Sequence, residues 1–62
     1  MALGARARAL IAEVEQAPAR ALARLGARLY RLEHSREAAA ITVVEWRRIW
    51  QAYQARKAAL AA

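Results

Sequence analysis

Ile41-Thr42-Val43-Val44-Glu45-Trp46 spells out a helix start. Thr42 and Glu45 fit the T-x-x-E capping box, in which the threonine hydroxyl takes the third backbone N–H and the glutamate reaches back to the threonine N–H. Ile41 before the cap and Trp46 one turn inside it form the pair expected of a hydrophobic staple. Four β-branched residues in a row, Ile41 to Val44, disfavour a helix passing straight through them. A helix is therefore predicted over about 43–60, and whatever precedes it has to stop earlier, between Glu33 and Ala40. Ser35 is the candidate cap for one short turn in that gap.

Upstream, apolar residues recur at alternating steps of three and four: Leu3, Ala7, Leu10, Val14, then Pro18, then Leu22, Leu25, Leu29 and Leu32. That spacing is one apolar stripe of a helix. The steps on either side of Pro18 are both four, a stutter in a heptad-like pattern. Proline removes a donor and clashes with the preceding turn, so it either breaks or kinks a helix. The stripe keeps its phase across Pro18, and Gln16, Ala17 and Ala19 provide no Gly, Asn or Ser for a tight reversal. The reading is an all-α chain, one domain over 1–62. It is a helical hairpin with a long Pro-kinked first arm (about 3–33) and a shorter second helix (about 43–60). A continuous first arm would be about 45 Å long and the second about 27 Å. The second could not cover Leu3, Leu10 and Val14 while lying along Leu22 to Leu32, so self-association or a partner is expected to complete the fold.

Composition narrows the function. Of 62 residues, nineteen are Ala and ten Arg; Asp, Asn, Cys and Phe are absent, and the formal net charge is +6. Without Cys there is no disulfide framework and no thiolate metal site. His34 is the single imidazole, a poor ligand set for zinc, and it suits a helix C-terminus. His34 and Ser35 are adjacent, so on a helix they do not face each other, and no Asp exists to orient them. No catalytic residue, metal, cofactor or small-molecule substrate is expected. The longest apolar stretch, Ala38 to Val44, is too short to span a bilayer. The Arg- and Ala-rich start resembles a mitochondrial presequence in composition, but Glu13, Glu15 and the lack of Ser oppose it. The expected location is the cytoplasm or a soluble or virion assembly.

Two constellations remain. Arg20, Arg24, Arg28 and Arg31 share one strip of helix about 80° wide, facing away from the leucine stripe. It is either a plain solvated face or a surface for polyanions or an acidic partner. Trp46, Ile49, Trp50 and Tyr53 share another face, the spacing of a core or interface stripe, although aromatics interleaved with arginine also suit base stacking. Leu60 extends that face and Lys57 falls inside its arc. Leu29-Tyr30-Arg31 resembles the tripeptide of the LYR-motif proteins, but after Leu32 and Glu33 that family has an apolar and a basic residue where this chain has His34 and Ser35, so no family is assigned. The function expected is a non-catalytic protein–protein interaction subunit, an accessory, adaptor or structural component of a larger assembly such as a phage particle. It would use Leu22, Leu25, Leu29, Leu32, Trp46, Ile49, Trp50 and Tyr53 as its interface. The alternative is a small basic nucleic-acid-binding protein with the arginine strip on phosphates.

Overall fold

A computed structural model describes residues 2–62, apart from the side chain of residue 37. The described residues are all-helical: α1 (Ala5–Gln16), α2 (Ala19–Glu33), a short 3₁₀ turn (Arg36–Ala40) and α3 (Val43–Ala61). Both α1 and α2 pack against α3 more closely than against one another, with α1 on α3 the larger contact.

The first arm is therefore two helices, not one kinked rod, and the hairpin is a three-helix arrangement. A rod from 3 to 33 would exceed the whole molecule, whose longest dimension is 33 Å. The break lies at Ala17 (φ −68°, ψ 130°) and Pro18 (φ −71°, ψ 160°), both extended. The proline ring disfavours the α region for the residue before it, which puts Ala17 in the extended basin. Two consecutive extended residues redirect the chain with negative φ throughout, and no positive φ occurs among the described residues. The absence of Gly, Asn or Ser around Pro18 was thus no obstacle to a break.

The apolar stripe holds as a burial pattern although its axis does not. Ala7, Leu10 and Val14 on α1 and Leu22, Leu25 and Leu29 on α2 are buried in one cluster with Ala17, Ile41, Trp46 and Ile49. Leu3 and Leu32 pack at its edge. Because the chain turns at Pro18, α3 covers Leu10 and Val14 itself, and the geometric need for a second chain over that stretch disappears.

α3 begins where its cap says. The Thr42 hydroxyl accepts from the Glu45 N–H at 3.1 Å and the Thr42 N–H donates to Glu45 Oε1 at 2.9 Å. Both staple positions, Ile41 and Trp46, are buried. Glu45 also accepts the Gly4 N–H through Oε2 at 2.7 Å, tying the entry of α1 to the start of α3. These backbone donors, Thr42 first and then Gly4, hold the Glu45 carboxyl below its ordinary pKa. A depressed carboxylate pKa contributes stability above the unfolded-state value, and that contribution is lost as pH falls through the folded-state value.

Ser35 does not cap the 3₁₀ turn with its side chain. Its hydroxyl donates to the Leu32 carbonyl at 2.8 Å, so it closes α2 rather than opening the 3₁₀ turn. At the far end, Leu60 is exposed, because α3 outruns the helices it packs on.

One glycine sets the approach of α2 to α3. A Cβ at Gly26 would lie 2.5 Å from Tyr53 Oη and 2.7 Å from Cζ. In a free helix Gly→Ala gains about 1 kcal/mol. Here Gly26→Ala is expected instead to destabilise by about 1–2 kcal/mol, because the tyrosine ring must give way. In a Tyr53→Ala background the same substitution should become stabilising. Urea denaturation of the four chains of this cycle checks it, and an unchanged sign in the two backgrounds would disprove the contact.

Candidate interaction surfaces

The eight apolar residues expected at an interface are used largely within the chain. Leu22, Leu25, Leu29, Trp46 and Ile49 are buried, while Leu32, Trp50 and Tyr53 are half-buried at the margin of the same core. The Trp50 ring meets Tyr53 edge-on at 5.5 Å between centroids. Its Nε1 donates to Glu33 Oε1 at 2.9 Å. Rings held in this way are not free platforms for base stacking. The buried Trp46 Nε1 has no hydrogen-bond partner. The two indoles form one side of an open groove of about 870 Å³, with Val43 exposed at its edge.

The arginine strip lies where its spacing put it. Arg20, Arg24, Arg28 and Arg31 are all exposed on α2 while the leucines of the same helix face inward. The structure adds a carboxylate to it: Glu13, near the end of α1, pairs with Arg28. Both partners are about half exposed, 48% and 45%. Such a pair is worth less than about 1 kcal/mol.

The strip also borders a groove. A cleft of about 580 Å³ is lined by residues of α1, of the break and of α2, among them Ala17, Pro18, Ala21 and Leu25. Arg24, Arg28 and Arg31 stand along it together with Glu13.

Two participants, Gly26 and Arg56, escaped the sequence reading, and a third, Glu13, was legible only as a carboxylate at one end of the strip. Glu13 is fifteen residues from Arg28, and only the turn at Pro18 brings α1 beside that face. Gly26 carried a signal, since an isolated glycine inside an alanine-rich helix marks a close approach. Arg56 donates through Nε and one terminal nitrogen to the Ala17 carbonyl, at 3.0 and 2.9 Å, across 39 positions. That carbonyl lies in the break and has no helical partner, so a cation at the end of α1 completes it. No local pattern announces that role.

His34 and Ser35 are both committed to backbone. His34 Nδ1 donates to the Tyr30 carbonyl at 2.8 Å, and its ring lies 4.2 Å from that of Tyr30. Both therefore terminate α2. Among the described residues no group of three or more His, Cys, Asp or Glu gathers at metal-binding distance. No helix among them is long and apolar enough to cross a membrane. Comparison with protein families, curated proteins and solved structures finds no match to this chain.

Proposed function

We propose that this chain is a non-catalytic helical interaction subunit, an accessory, adaptor or structural component of a larger assembly. It meets its partner through the basic face of α2. The observation that carries this reading is the division of labour on that helix: Leu22, Leu25 and Leu29 serve the internal core, whereas Arg20, Arg24, Arg28 and Arg31 stay exposed. Like charges at i, i+4 oppose a helix by a few tenths of a kcal/mol per pair, so an opposite charge arriving from outside relieves a built-in repulsion. Non-catalytic character is supported by the engagement of the one His and the one Ser with the carbonyls of Tyr30 and Leu32.

An acidic protein surface is the partner favoured. The carboxylate already seated on Arg28 belongs to a helix of this chain, which is the kind of contact such a partner would repeat. Nucleic acid is the second reading, kept by the four exposed arginines of α2 and the net charge of +6.

The variant carrying Gln at positions 20, 24, 28 and 31 separates them. Gln keeps much of the stem that arginine lays over apolar surface while removing the charge. It is expected to fold as well as the wild type or slightly better, and to lose its partner protein on purification from the native source. Affinity for duplex DNA should be negligible in both chains. A wild type that binds duplex with a log–log salt slope of about −3.6, as four neutralised phosphates require, would establish the second reading instead. Retention of the partner by the Gln variant would remove the basic face from the proposal.

A further inference from the structure

We infer that the groove between α1 and α2 seats an amphipathic acidic helix of a partner protein, whose carboxylates lie on Arg24, Arg28 and Arg31 and whose apolar side chains lie on Ala17, Pro18, Ala21 and Leu25. The inference rests on the basic-face reading above and specifies which acidic surface that face takes.

Three observations lead to it. The groove is mixed in character: Ala17, Pro18, Ala21 and Leu25 offer carbon, while Arg24, Arg28 and Arg31 line it with Glu13 and Gln16. A phosphate backbone has charge but no apolar side to lay on that carbon, and a helix with glutamates beside leucines has both. Glu13 already shows the mode of engagement, since it approaches Arg28 from a neighbouring helix. Arg24 and Arg31 flank Arg28 and pair with no carboxylate among the described residues. Finally, Arg24 and Arg28 are one i, i+4 step apart, a rise of about 6 Å, which glutamates at i, i+4 on a second helix reproduce.

α1 ends at Gln16, less than one turn past Glu13. Its own carboxylate therefore reaches the middle of the strip and goes no further. Glu13 competes for Arg28 in the free protein, so an incoming carboxylate either displaces it or shares the guanidinium.

The test is fluorescence anisotropy with three labelled probes: a helical peptide of glutamates and leucines at matching spacing, a glutamate–alanine helix of equal charge, and a short DNA duplex. Circular dichroism confirms that each protein variant is folded. The glutamate–leucine helix is expected to bind most tightly. Arg24→Gln with Arg31→Gln should weaken it by about tenfold or more, the loss of two charge-assisted contacts. Glu13→Gln should tighten it by about threefold, because Arg28 is released from a pair of modest strength. Glu15→Gln changes the net charge equally from outside the groove, and its gain should be smaller. Equal binding of the alanine helix would overturn the groove while leaving a charge-reading basic face. Tighter binding of the duplex would overturn both. No binding of the glutamate–leucine helix, or a Glu13→Gln gain no larger than that of Glu15→Gln, would also overturn the inference.

Discussion

Trp46→Ala is expected to give the largest loss of stability, about 3–5 kcal/mol. The indole is 5% exposed and belongs to the buried cluster that joins α1, α2, Ile41 and α3. Truncating a buried tryptophan costs about 3–5 kcal/mol through lost transfer energy and the cavity left behind. A natural chain of 62 residues has only about 3–9 kcal/mol in total at the usual 0.05–0.15 kcal/mol per residue. The loss is thus about a third or more of everything the fold has. Trp46→Phe provides the contrast. It keeps most of the apolar ring and deletes the buried N–H that has no partner, an orphan worth about 1–3 kcal/mol of destabilisation. The Trp46→Phe chain should therefore fall within about 1.5 kcal/mol of the wild type. Far-UV circular dichroism in urea measures both, with Trp50 fluorescence as the second probe. A Trp46→Ala chain that melts with the wild type would mean the ring is outside the core.

Arg56→Met should give the second largest loss, about 1.5–3 kcal/mol, the range for hydrogen bonds to a charged group. Methionine preserves most of the stem, so what disappears is the pair of donors to the Ala17 carbonyl. That carbonyl is left without a protein partner in the only stretch where the chain leaves helix between α1 and α2. Arg56→Lys keeps the charge but not the two-nitrogen fork, and is expected to recover part of the loss. Urea midpoints for the three chains test this order. Identical midpoints for Met and Arg at position 56 would show that water serves the carbonyl equally well.

Trp46 and Arg56 differ in how far along the chain their partners lie. Trp46 was legible because a capping box and a staple act within a few residues: Thr42, Glu45, Ile41 and Trp46 meet through the geometry of a single helical turn, and that geometry is local. The burial of Leu22, Leu25 and Leu29 and the exposure of Arg20, Arg24, Arg28 and Arg31 were legible for the same reason, since a period of 3.6 sorts side chains into faces whatever they later touch. The contacts of Arg56 and Glu13 were not, because their partners lie 39 and fifteen residues away.

Pro18 sits on the border between local and long-range control. By itself the sequence determined three things: helix as the only regular structure, the cap that starts α3, and the segregation of Leu from Arg on α2. At Pro18 it pointed the wrong way: the apolar phase runs through the proline unchanged and favoured a kinked continuous arm, whereas the chain breaks there into two helices. Tertiary structure decided for the break, and the reason is burial: a straight arm would leave Leu10 and Val14 in water, whereas two extended residues let α1 fold onto α3 and cover them. The groove beside the arginines, the carboxylate of Glu13 within it and the clasp of Arg56 on Ala17 all follow from that one turn.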